Sequence, residues 1–399
     1  MGRARGGASF FLSPLGIVFT TVVIDLIGFG LVLPILPLWA EEVGASPVRI
    51  GILAASYAMA QLLFAPIWGR LSDRHGRRPV ILVSLAGSAV ASLMIGFAGT
   101  LMVLFVARVL QGIAGASYAA AQAYVADITT AKDRARGMGL IGAAFGLGFV
   151  LGPAIGALFS SIDQRLPFFV ASGLAATNFV IAYKRLPESR RPDAERSEAP
   201  VPRFGAVRRA LASRELAPLV WLSFVATFAF VGMETTFALF GERRFSYSPV
   251  QMGLLFTFIG VMAVISQGYL VGRLVGRMGE RRVMIIGLIG TAAGLLLVAA
   301  SFDLWVLLIG LALLSVASGL VFSTTTAMIS LAAGEREQGM VLGLSASVGG
   351  AARIGAPLLA TVLFQHAGIA VPLLVGAALF ALCAVGALRV AAPPVLASS

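Results

Sequence analysis

Long apolar runs alternate along the chain with short polar interruptions. Each run lasts roughly twenty residues, enough to cross a hydrocarbon core at about 1.5 Å of rise per residue. The pattern predicts twelve helical spans. Six lie roughly at 14–40, 48–70, 79–98, 101–126, 137–161 and 166–186, and six more at 216–240, 249–272, 281–301, 303–327, 338–363 and 368–391. Residues 188–215, with Pro192, Pro200 and Pro202 among mixed charges, read as a connecting loop. The expected fold is all-α and membrane-integral, with an N-terminal half at 1–187, the loop at 188–215 and a C-terminal half at 216–399. Arg3 and Arg5 precede a run that continues past Asp25 to Trp39, which reads as a retained first span and not a cleaved leader.

Composition agrees with this pattern. Hydrophobic residues make up 58% of the 399 and charged residues only 12%, with a mean hydropathy of +0.94. A soluble domain carries about twice that charge. The 46 glycines suit helices that approach closely without a hydrophobic force between them. The formal charge of +12 would suggest nucleic acid on a soluble chain, but here the basic residues sit in short loops. One face of the membrane receives only Arg49, Arg165, Arg243 and Arg244, and the other receives the remaining loops and both ends. Both termini are therefore expected in the cytoplasm and the chain in the inner membrane, with no nucleic-acid partner. Cys383 stands alone, so no intrachain disulfide can form. His75 and His366 have no catalytic partner nearby, no Gly-x-x-x-x-Gly-Lys-Ser/Thr phosphate loop occurs, and the methionines are scattered. Neither enzymatic activity, nor a metal, nor a cofactor is expected.

The two halves repeat. Gly69-Arg70-Leu71 recurs as Gly272-Arg273-Leu274, and the same offset of 203 residues takes Arg74 to Arg277, Gly76 to Gly279, Arg78 to Arg281 and Gly152 to Gly355. A parallel repeat of two six-span halves puts a binding cavity at the interface between them. The halves differ at Asp73, which maps to Gly276, and at Arg108, which maps to Leu311.

These residues carry a family resemblance. The loop Gly69-Arg70-Leu71-Ser72-Asp73-Arg74-His75-Gly76-Arg77-Arg78 resembles the signature loop of the major facilitator superfamily. Asp25-x-x-Gly28-x-Gly30-Leu31-x-x-Pro34-x-Leu36-Pro37 is similar to the first-span pattern of its drug:proton antiporter branch with twelve helices, the branch of tetracycline and multidrug exporters. Arg108-x-x-Gln111-Gly112-x-x-Gly115-Ala116 resembles a second family motif. Gly139, Gly148, Gly152-Pro153 and Gly156 have the spacing of a motif associated with antiporters. The resemblance implies proton-coupled export of small lipophilic molecules by alternating access, from a chain that works as a monomer in the bilayer. It also implies that Asp73, Arg77, Asp127 and Arg136 form a charge cluster that closes the cytoplasmic face. Import of sugars or metabolites by symport or uniport is the alternative on the same fold.

The residues themselves point to a mechanism. Asp25 falls near mid-membrane, where a carboxylate costs several kcal/mol unless it is paired, protonated or wetted. Arg108, on the fourth span, is its expected partner: protonation of Asp25 weakens the attraction and shifts the access equilibrium, or the two form a static ion pair, or they do not touch. Arg108, Gln111, Gly115, Tyr118 and Gln122 recur on one helical face, and Tyr57, Gln61 and Phe64 form a second stripe on span two. Such stripes face a cavity or another helix, because lipid cannot satisfy them. Glu234 on span seven is the second intramembrane acid. It either pairs with Arg353 on span eleven, or serves as a second proton site or an anchor for a cationic substrate. Gly69 and Gly76 permit tight turns, with Asp73 placed to accept backbone N–H groups at a helix start or to favour its positive dipole end. Gly148, Gly152 and Gly156 give span five a smooth face, with Pro153 as a bend, for contact with span eight or for generic small-residue packing.

Overall fold

The computed structural model describes residues 13–115, 117–129, 133–189, 213, 215–333 and 338–388. Every regular element among them is helical. The first span is two helices, α1 (Pro14–Val32) and α2 (Leu36–Glu42). Pro34 lies in the turn between them, where it has no N–H to donate to the preceding turn. Spans two and three are α3 (Pro47–His75) and α4 (Arg77–Gly96). Span four, expected as one helix, is α5 (Leu101–Ala114) followed by α6 (Ser117–Ile128). Spans five to seven are α7 (Arg134–Ser160), α8 (Leu166–Arg185) and α9 (Leu216–Phe245). Span eight runs as α10 (Pro249–Ile265), a π-helical turn at Ser266–Leu270 and α11 (Val271–Met278). The last four are α12 (Glu280–Ala300), α13 (Leu304–Ala332), α14 (Gln338–His366) and α15 (Val371–Ala387). Ten of the described helices are long and apolar enough to cross a membrane, and α5 and α15 are shorter apolar helices.

Local chemistry sets several helix starts. Ser13 accepts from the Gly16 amide at 3.1 Å and Ser46 from the Arg49 amide at 3.4 Å, each followed by a proline at the first helical position. Asp303 accepts from the amides of Trp305 and Val306 at 2.7 and 3.0 Å. A side-chain oxygen at this position satisfies donors that no preceding turn can reach, and fixes where the span begins.

The chain divides into two compact units, residues 1–197 with 247–257 and residues 198–246 with 258–399. In the first, the glycine face of α7 closes on α1, so its partner is span one. A Cβ added to Gly152 would lie 2.8 Å from the Gly30 Cα, and one added to Gly156 would lie 2.8 Å from the Leu31 carbonyl oxygen. Span eight touches the neighbouring strip instead: a Cβ at Gly253 would lie 2.8 Å from that of Ala157 and 3.0 Å from the Pro153 oxygen. This contact is why the first residues of α10 belong with the N-terminal unit. The helix α7 continues through Pro153.

The repeat is also visible inside each unit. A Cβ at Gly87 would meet the Ala114 Cβ at 2.7 Å, and one at Gly290, 203 residues on, would meet the Ala317 Cβ at 2.9 Å. Ser84 donates to the Ala114 carbonyl, and its counterpart Gly287 presses against the Ala317 carbonyl. Gly76 and Gly279 turn the chain at φ of 102° and 77°.

The glycine contacts make a stability prediction. Gly152→Val forces a side chain against the α1 backbone and should cost about 1–3 kcal/mol. Gly139→Val, on the same helix with nothing within 4 Å, should leave the detergent unfolding temperature nearly unchanged.

Candidate functional site

The polar stripes of spans two and four meet inside the first unit. Thr100 starts α5, and its hydroxyl accepts from the Val103 amide at 3.5 Å. Two turns later α5 presents Arg108, which is only 8% exposed. Its Nη1 donates to Gln111 Oε1 at 2.6 Å, and its guanidinium carbon lies 4.3 Å from the centroid of the Tyr57 ring on α3. The ring face attracts the cation where water is absent. Gln61, one turn along α3, donates to the Tyr57 hydroxyl at 3.3 Å and reaches the Gly115 carbonyl at 3.5 Å. Tyr57, Gln61, Arg108 and Gln111 are therefore one connected polar group bridging α3 and α5. Arg108 Nε is buried in it with no hydrogen-bond partner.

Asp25 lies half-buried on α1, and Phe29 follows one turn later on the same face. The Phe29 ring lies 6.3 Å from Tyr57 and 6.3 Å from Phe149, which stacks on Phe145 at 4.9 Å. A run of aromatic rings thus connects the Asp25 face of α1 to the Arg108 group. Sequence reasoning did not single out Phe29, Phe145 or Phe149. The signal was their spacing, one helical turn from Asp25 and from each other. Gln122 is half-buried on α6. The side chains of Tyr118 and Arg136 lie outside the described residues, although their backbones belong to α6 and α7.

A second charged pair belongs to the second unit. Glu234 on α9 is half-buried and feels the attraction of Arg353 on α14, whose side chain is exposed. Among the described residues the two do not close to a salt bridge within 4 Å. The helices carrying them pack where Gly232 faces Ala360. Thr235 and Thr236 donate to the Val231 and Gly232 carbonyls of their own helix, which leaves Glu234 without their help.

The third cluster gathers at the loop after span two. Arg77 donates through Nη1 to Asp73 at 2.6 Å and to Ser72 at 3.1 Å, and through Nε to Asp127 on α6 at 3.0 Å. Asp73, expected to accept amides at a helix start, instead lies in the last turn of α3 and pairs with Arg77. The amides at the start of α4 go to Glu188: Arg77 N donates to Oε1 at 2.8 Å and Arg78 N to Oε2 at 3.2 Å. A carboxylate suits the positive end of a helix. Gly76 is favoured here because the chain turns at φ of 102°, a conformation that side chains with a Cβ rarely adopt. Gly69, by contrast, is helical with open space around it. Ser189 donates to Asp127 at 3.2 Å, and the Tyr124 hydroxyl donates to the Pro187 carbonyl at 2.9 Å. The end of span six is thereby tied to the cluster. Glu188 was missed because its partners lie more than a hundred residues away; an acid immediately after an apolar span was the only signal.

Comparison with known proteins places this geometry in context. The family model described as Major Facilitator Superfamily matches residues 18–275 and 242–398. The class C tetracycline resistance protein of Escherichia coli is 34% identical over 379 residues, covering 92% of this chain and 94% of that protein. Multidrug resistance protein 2 of Bacillus subtilis (strain 168) is 30% identical over 355 residues, covering 88% of each. Among solved structures, the human organic anion transporter MFSD10 (TETRAN) superposes with a TM-score of 0.70 at 28% identity, covering 94% of this chain and 98% of that one. A mutant of the nucleoside transporter NupG superposes with a TM-score of 0.79 at 11% identity, covering 95% and 100%, and so shows the fold alone. With the family model matched over nearly the whole chain and a relative above 30% identity, this multi-pass membrane protein belongs to the Major Facilitator Superfamily of transporters.

Proposed function

We propose that the chain is a proton-coupled antiporter that exports small lipophilic compounds, including cationic ones, by alternating access. The observation that carries this reading is Asp25, a carboxylate half-buried in the middle of the first span beside a run of aromatic rings that ends at Arg108. A charge at that depth costs several kcal/mol, so taking up a proton is the low-cost way for Asp25 to lose its hydration. Once neutral, Asp25 no longer attracts a cation or Arg108, and the aromatic surface accepts or releases an apolar compound. Proton and compound thus compete for one environment, which is the requirement of antiport. Glu234, under the attraction of Arg353, supplies a second acidic position for a proton or for the cationic part of a substrate.

The relatives named for tetracycline and multidrug resistance support export, and they make tetracycline and lipophilic cations the first compounds to try. The arginine distribution supports an inner-membrane placement with both termini in the cytoplasm. In that orientation the cluster of Asp73, Arg77 and Asp127 lies at the cytoplasmic face, where it closes the outward-open state. The proton gradient alone powers the cycle, with no cofactor, in a monomer.

Two measurements test this reading. In proteoliposomes with an imposed pH gradient, Asp25→Asn should lower gradient-driven movement of tetracycline or tetraphenylphosphonium by about 5–150-fold, the usual span of a coupling free energy, while leaving binding detectable. Transport that still follows the gradient in a folded Asp25→Asn protein would contradict the mechanism. Arg77→Ala removes both ion pairs of the cluster, which are exposed at Asp73 and worth about 1 kcal/mol or less each. It should therefore shift the unfolding temperature only slightly, yet raise the labelling of cysteines placed at the cytoplasmic ends of α3 and α6.

A further inference from the structure

Arg353 carries a positive charge into the middle of the second unit, and no closed ion pair meets it there. It lies about 20 Å from either end of α14 at about 1.5 Å per residue, too deep for its side chain to reach an interface. Yet the side chain is exposed. Gly339, Gly343, Ala346, Gly350 and Arg353 recur at intervals of four and three, and so share one face of α14. A Cβ added to Gly339 or Gly343 would meet nothing within 4 Å. The exposed Leu358 and Val362 of the same helix point to the side away from Arg353. Hydrocarbon tolerates a guanidinium poorly, so the Arg353 face looks onto water and the leucine and valine face looks onto lipid.

Glu234 does not discharge this arginine. Arg77 shows what a closed pair is in this chain, 2.6 Å from Asp73 and 3.0 Å from Asp127. Glu234 attracts Arg353, but among the described residues the two make no contact within 4 Å. Helix packing sets the gap. The Ser223 and Ser345 hydroxyls lie 3.4 Å apart and Gly232 faces Ala360, so α9 and α14 run side by side in one direction. In that register Glu234 sits about 8 Å further along the pair than Arg353. Among the described residues, no protein acceptor meets the guanidinium N–H groups of Arg353.

A guanidinium is a planar fork of donors that binds a carboxylate or an enolate through two parallel hydrogen bonds. We propose that Arg353 anchors an anionic oxygen group of the transported compound, and that the class this chain handles best is a small lipophilic zwitterion, with its anion on Arg353 and its cation toward Glu234. The glycine face beside Arg353 leaves room for the body of such a compound. The proposal rests on the transport reading above and narrows its substrate class.

Rhodamine B and its ethyl ester test this, because they share one cationic ring system and differ in whether the carboxylate is free. Their affinities for the purified protein are read by fluorescence polarisation. Arg353→Gln should lower the ratio of rhodamine B affinity to ester affinity about tenfold or more, the worth of one hydrogen bond to a charged group, without weakening the ester. Arg353→Lys keeps the charge and loses the fork, and should lower the ratio by less. A ratio unchanged in both variants would overturn the proposal, including the case in which both dyes weaken together, as a purely structural role requires. Binding of neither dye by the unaltered protein would overturn the zwitterion assignment and leave proton-coupled export of cations to its own test. An Arg353-dependent preference for the free acid, in a protein that moves neither dye with a pH gradient, would uphold the anchor and sink the antiport reading.

Discussion

Hydrocarbon offers no hydrogen bond, so every polar group in a span must be met by the bundle itself. Most of the polar side chains here obey this in the simplest way, by donating to their own helix. Thr20, Thr291, Ser315, Thr324 and Thr361 each bond the carbonyl one turn back. Asn178 bridges helices, donating from α8 to the Thr21 carbonyl of α1 at 2.8 Å. Against this background the intramembrane charges stand apart. Arg108 is met by an amide and a ring face, and Glu234 by the attraction of a neighbouring arginine that does not close on it. Groups kept in so costly an environment point to use and not to stability, because an apolar side chain would pack at lower cost.

The same constraint explains where the helices break. An interruption exposes carbonyls that lipid cannot satisfy, so it is tolerated only where neighbouring helices supply donors. Trp68, Ser84 and Gln61 do so at the end of α5. Small residues permit the close approach these bonds need: Gly87 lies against Ala114 at the end of α5, as Gly290 lies against Ala317 in the second unit. The polar group around Arg108, the end of α5 and the ion cluster at Arg77 are consequently neighbours along one helix pair.

The spans were legible because an apolar run of about twenty residues has few soluble explanations. The repeat was legible in its glycines and arginines, and the structure gives those matches physical content at Gly76 and Gly279, which turn the chain alike. What the sequence did not disclose depends on partners distant along the chain. The glycine face of α7 could have met any helix, and it meets α1 because Gly30 offers a complementary surface. Glu188 reads as one more loop acid until the chain brings it to the start of α4. The break after Ala114 had no proline to announce it, whereas Pro34 marked the break in span one. Arg108 was expected opposite Asp25; its contacts with Tyr57 and Gln111 depend on the rotation of α3 against α5, which periodicity alone does not fix.

The proposed antiport depends on proton and compound competing through the Asp25 environment. The most direct test is proton release on binding: the purified protein in weakly buffered detergent solution, titrated with tetraphenylphosphonium or tetracycline while pH is recorded. The account predicts that protons leave as the compound binds, and that Asp25→Asn binds the compound with this release diminished or lost. Binding with no proton release in the unaltered protein, across the pH range in which transport runs, would contradict it.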